Sequence, residues 1–188
     1  MTRNILLTTF VLSISLLGTA PAMSKDAKQE RRAEIQQMRT GVLADLYRAK
    51  PDARAQIANA AGYAVFNNKN VNLIIASVSG GFGVVRDNRT GRDTYMKMGE
   101  AGLGFGLGIK DFRAVFVFHN RESLEKFITS GWEFGAHADA AAKAGDTGAA
   151  VGGEVLVNGM TVYQLTENGL ALQATVKGTK YCKDDELN

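Results

Sequence analysis

The sequence predicts an α+β fold: a mostly antiparallel, Gly-rich, strongly curved or barrel-like sheet, packed by a long N-terminal helix and a second helix near 121–134. Three observations predict it. Ile35, Met38, Val42 and Leu46 recur at helical steps within 26–49. Residues 112–118 alternate two apolar sets, Phe112, Ala114, Phe116 and Phe118 against Val115 and Val117. The stretches VNGM and TENGLA both carry Asn-Gly, a strong hairpin signal.

In chain order, residues 1–22 read as a secretory signal peptide. Arg3 supplies a short positive region and 5–17 an apolar run. That run is shorter than the ~20 residues of a bilayer span. Ala20-Pro21-Ala22 then gives a small-x-small cleavage pattern. The alternative is an uncleaved membrane anchor; a lipoprotein anchor lacks a nearby cysteine. The expected location is secreted, in a bacterial periplasm. The domain expectation is a signal peptide at 1–22, an amphipathic helix at 23–50 and a main domain at 51–188, with the helix packed on it as one unit.

Helix 26–49 is rich in Ala, Glu, Gln, Arg and Leu. At about 100° per residue, Lys25, Lys28, Arg31, Arg32 and Arg39 fall within roughly 120° of one another. They continue the line of the apolar seam, while Asp26, Glu30 and Glu34 lie opposite. Gly41 weakens the helix midway, and Pro51 ends it. Residues 52–60 predict a second short helix. GYAVF (62–66) predicts a strand, and 71–87 a long β segment with a glycine break at 80–83. A turn at 88–91 leads into the strand-like run 93–111 and the aromatic strand 112–120. Residues 121–134 switch to helical period through Leu124, Phe127 and Ile128, with Asn120 or Ser123 as cap. The stretch 135–154 is a loop with a short helical piece, and hairpin-linked strands close the fold.

The 21 glycines among 188 residues must serve geometry, since glycine costs entropy inside regular structure. Gly102, Gly104, Gly106 and Gly108 would bare one face of a strand, with Leu103, Phe105, Leu107 and Ile109 on the other. Gly81 and Gly83 repeat the device. A bare face admits either close packing or a ligand groove. Rossmann spacing fails, because position i+5 is Leu107 or Ile109, and no Gly-Lys-Ser/Thr follows.

Several function classes find no support. The net charge of +3 is too small to argue nucleic-acid binding. His137 lies two residues from Asp139 without a third closely spaced ligand, so no metal site is expected. No Gly-x-Ser-x-Gly elbow occurs. No cofactor and no catalytic residue are expected. The single Cys182 excludes an internal disulfide; it is either a buried small hydrophobe or a free thiol.

The ordered segments ANAAGYAVF, IASVSGGFGVV, AGLGFGLGIKDFRAVFVFHNRESLEKFITSGWEFGAHADAAA and ENGLALQATVKGTKYCKDDELN resemble the SYLF domain family. The resemblance spans about residues 40–188. Asn67 departs from it, standing where the family commonly has proline. It implies a non-enzymatic, lipid-binding protein contacting anionic phospholipid headgroups or a membrane surface. It also implies that a basic N-terminal helix makes that contact, here through Lys25, Lys28, Arg31, Arg32 and Arg39. Each such cation adds about 1 kcal/mol near a charged surface. The competing readings are a solvated helix face and a periplasmic structural or protein-interaction module. Actin binding, known in the family, has no evident partner in a secreted setting, and the protein partner stays open.

Overall fold

The computed structural model describes residues 23–67, 80–100, 113–133, 154–166, 169–170 and 179–188. The elements run α1 (Lys25–Ala49), α2 (Ala53–Asn59), β1 (Gly62–Asn67), β2 (Gly80–Asp87), β3 (Asp93–Glu100), β4 (Arg113–Phe118), α3 (Arg121–Ser130), β5 (Trp132–Glu133), β6 (Glu154–Val157), β7 (Met160–Thr166), β8 (Gly169–Leu170) and β9 (Thr179–Lys183). The fold is α+β, with a strongly curved antiparallel sheet, as expected. Among the described residues the strand order is β5-β9-β3-β2-β1-β4-β7-β6, and β8 pairs the free end of β7.

Both sheet faces are covered, which is why β1 and β4 read as nearly continuous apolar runs. On one face Ala64, Phe66, Val85, Ala114, Phe116 and Phe118 meet Leu124 and Phe127 of α3. On the other, Val65, Val115, Val117 and Tyr163 meet Val42 and Leu46 of α1 and Ala53 and Ile57 of α2. The alternation through 114–118 therefore sorts side chains between two helical layers. The α3 layer is aromatic: the Phe66, Phe116 and Phe127 rings surround Tyr181, with centroids 4.6, 5.1 and 5.9 Å from it.

Local chemistry explains most boundaries. Ser24 caps α1, its hydroxyl accepting from Ala27 N at 3.2 Å. Asn120, one of the two expected caps, caps α3 by accepting from Ser123 N at 2.8 Å. The VNGM hairpin forms between β6 and β7, with Asn158 and Gly159 both at positive φ, 49° and 74°.

Two expectations are corrected. The expected helix 121–134 stops at Ser130. Gly131 adopts φ 72°, and the Tyr181 carbonyl occupies the place a Cβ would take. Pairing with β9 then draws Trp132 and Glu133 into the sheet. The expected glycine break at 80–83 is instead continuous strand, fully paired with β3. There the missing side chains give close packing: a Cβ on Gly83 would strike the Phe66 ring, and one on Gly81 would sit 2.5 Å from Met98 Cε. Gly102, Gly104, Gly106 and Gly108 lie outside the described residues, as do 1–22, 71–79 and most of 135–154.

Candidate functional site

The candidate surface is α1, and its geometry follows from how it docks. The seam of Ile35, Val42 and Leu46 is fully or almost fully buried. Its C-terminal half lies on β1 and β4, and Ile35 meets Val84 and Leu187. Because the basic stripe shares the angular sector of this seam, docking aims most of it at the protein itself.

Arg39 donates to both Asp93 carboxylate oxygens, at 3.2 and 3.3 Å. Gln36 Nε2 donates to Asp93 at 2.9 Å, and Arg86 Nε lies 3.0 Å from the same carboxylate. Arg32 donates twice to the Leu187 carbonyl, at 2.9 and 2.6 Å. Its guanidinium also stands 5.6 Å from the Tyr95 ring centre. Arg31 sits 4.2 Å over the Phe82 ring and pairs with Glu34 at 2.9 Å. Lys25 is exposed and Lys28 half-exposed. Met23, just before them, is an exposed large apolar side chain. The five expected cations thus divide: Arg32 and Arg39 anchor the helix, Arg31 borders solvent, and Lys25 and Lys28 project from the first two turns.

The anchor for Arg32 is a strap formed by residues 184–188. Leu187 is buried against Ile35 and Val84. Asn188 accepts from Tyr95 N at 3.0 Å and donates to Tyr95 O at 2.8 Å. Lys97 pairs with the buried Asp184 at 3.2 Å. Sequence reasoning missed this strap. The closing DDELN reads as an acidic tail, whereas the contacts made with Arg32 and Tyr95 use the Leu187 carbonyl and Asn188.

Elsewhere, Asp87 and Tyr181 are the groups whose titration is most strongly perturbed among the described residues. Burial by itself would raise the Asp87 carboxyl, but the Arg121 guanidinium and hydrogen bonds from Thr90 and Arg89 outweigh it and hold the group at about 2. Burial pushes the Tyr181 hydroxyl well above its ordinary value. Both are structural settings: Asp87 ties the β2–β3 turn to α3, and Tyr181 sits inside the aromatic layer.

His119 is exposed, with Nε2 2.7 Å from Oγ1 of the buried Thr161, a part-buried hydrogen bond. His137 lies outside the described residues. Among the described residues no three His, Cys, Asp or Glu side chains group to hold a metal. Cys182 is exposed on β9, so it is the free thiol of the two readings and not the buried hydrophobe. No described helix is long and apolar enough to cross a membrane.

Comparison with known proteins gives two similarities. A family model described as Ysc84, Las17-binding protein actin regulator, matches residues 99–188. Beta cell expansion factor A of Aeromonas veronii is 36% identical over 163 residues. The match covers 87% of this chain and 60% of that protein, so the chain spans less than two thirds of its relative. Neither description names a catalytic activity. With the curved sheet and the ordered glycine and aromatic segments, these similarities bear out the resemblance to the SYLF (Ysc84) domain family, whose model covers residues 99–188.

Proposed function

We propose that this protein is a non-enzymatic, exported lipid-binding protein that contacts anionic phospholipid headgroups through the first two turns of α1. The observation that carries the proposal is the tip formed by Met23, Lys25 and Lys28. It combines an exposed apolar side chain with two cations that make no ion pair among the described residues. That combination suits an interfacial contact, which needs both apolar insertion and charge. Arg31 extends the cationic edge, while Arg32 and Arg39 hold the helix at a fixed angle to the sheet. The association of the SYLF family with lipid binding supports the reading.

The test is co-flotation of the purified chain with neutral and anionic vesicles at low and high salt. Binding to anionic vesicles that weakens with salt is expected, because exposed charges are screened. The paired change Lys25→Glu and Lys28→Glu should abolish it without touching the fold. A triple change including Arg32 would be a poorer test, since Arg32 holds the strap.

A second reading is a structural or protein-interaction module without a lipid ligand. The internal engagement of Arg32 and Arg39 favours it, and the family description names a protein-binding actin regulator. Failure to bind any vesicle would select it.

A further inference from the structure

The flank of α1 turned away from the Arg32 and Arg39 anchors borders a groove of about 790 Å³. That volume lies in the range of small-molecule sites. Glu34, Met38, Gly41 and Asp45 line it from the helix, and Phe82 and Arg113 from the strand ends. The helix positions step by four, three and four residues, so they form one stripe. At 1.5 Å rise per residue the stripe is about 16 Å long.

Its chemistry changes along that length. One end carries the Arg31–Glu34 pair, and the other the Arg113–Asp45 pair. Between them Met38, Val42 and Phe82 give an apolar strip, flanked by the polar Gln37 and Asn67. At Gly41 a side chain would meet nothing within 4 Å, so the groove is open at its midpoint. The two ends are not equivalent. Arg31–Glu34 is a solvent-facing pair three residues apart, a class of pair held weakly. Its guanidinium can turn to a better anion while staying stacked on Phe82. Arg113 is more deeply buried and engages further partners, so it closes the far end.

We propose that this groove takes one acyl chain of a single-chain anionic amphiphile. The carboxylate or phosphate rests on Arg31, and the chain lies along Met38, Gly41 and Val42. The proposal rests on the lipid-binding reading above but assigns a different surface: the α1 flank holds a monomeric chain, whereas the Lys25–Lys28 tip touches a bilayer.

The experiment titrates the full chain with fluorescently labelled palmitate below its micellar concentration. Saturable binding of one molecule per chain is expected. Gly41→Leu and Gly41→Gln each plug the midpoint with a better helix former, and each should weaken binding roughly tenfold or more. Both should keep the circular dichroism of the parent, with a thermal midpoint no lower than the parent's. Arg31→Gln should weaken palmitate but not labelled hexadecanol, which lacks the anion. Lys126→Gln, on α3, should change nothing. Competition by lysophosphatidylglycerol against palmitate separates a phosphate headgroup from a carboxylate as the preferred anion.

Absence of saturable binding, or binding indifferent to both Gly41 variants, overturns the groove assignment. Vesicle binding without palmitate uptake refutes the groove and leaves the bilayer contact standing. Palmitate uptake without vesicle binding does the reverse. Displacement of palmitate by an unrelated extended peptide but not by lysophosphatidylglycerol would overturn the lipid occupant.

Discussion

Removing the Asp93 carboxylate should undo the docking of α1 on the sheet. Three donors from two elements converge on it: Arg39 at 3.2 and 3.3 Å, Gln36 at 2.9 Å and Arg86 at 3.0 Å. The carboxylate side chain is 19% exposed, and those of Arg39 and Arg86 are 17% and 27% exposed. Hydrogen bonds to charged groups contribute about 1.5–3 kcal/mol, most where a partner is stranded away from water. Asp93→Ala strands two guanidiniums close together, but each retains some solvent, which discounts the charge component. The expected loss is therefore about 2–3 kcal/mol. Asp93→Asn, which still accepts from Gln36, should lose about 1 kcal/mol less. Urea unfolding checks this, with the midpoint falling and the slope unchanged. A double-mutant cycle with Arg39→Ala should return a coupling of about 1 kcal/mol. A loss under about 0.5 kcal/mol for Asp93→Ala, the size of an ordinary surface change, would refute the view that this carboxylate locks the helix to the sheet.

Three further outcomes are expected. Gly41→Ala adds helix propensity where the new methyl meets nothing within 4 Å, so it should stabilise by up to about 1 kcal/mol and raise the thermal midpoint by about 2–4 °C. Tyr181→Phe removes a buried hydroxyl that has no hydrogen-bond partner among the described residues; denaturant unfolding should show it neutral or stabilising by about 1 kcal/mol, and a clear destabilisation would mean that the hydroxyl is engaged. Asp87 is held at about 2 in the fold and titrates near 3.9 when unfolded. Its contribution is therefore complete above about pH 4 and lost as pH falls through about 2. Asp87→Asn should flatten the acid limb of a stability–pH curve measured over that window.

Much of this architecture was legible in the residues. The 114–118 alternation sorted side chains onto two faces, and Asn158-Gly159 located a hairpin, because both signals act within a few residues. Failures came where distant chain decided. The end of α3 was invisible because it depends on Gly131 packing under the Tyr181 carbonyl, fifty residues away. Gly81 and Gly83 looked like a break, because their use depends on where the Phe66 ring and Met98 lie. The helical projection put the basic stripe in one sector of α1, yet its division into anchors and outward cations was not readable. A helical projection shows which residues share a face, but not that Asp93 and Leu187 would meet it. One clue was present: cations continuing an apolar seam are turned inward wherever that seam packs.

The strap has a bearing on how the chain acquires its shape. Arg32 bonds to a carbonyl 155 residues further on, and β9 completes the sheet beside β3 more than eighty residues after β3 begins. Contacts of such sequence separation form late, since a long loop must close before they contribute. During synthesis the N-terminal half of α1 emerges early and can meet β2 and β3 first, but Arg32 finds its carbonyl partner only when residues 184–188 follow. The clasp on Arg32 thus closes only after residues 184–188 are in place. A chain cut short before β9 would lack both the strand and the clasp, and would present a loosely held basic helix and an open sheet edge to chaperones and proteases.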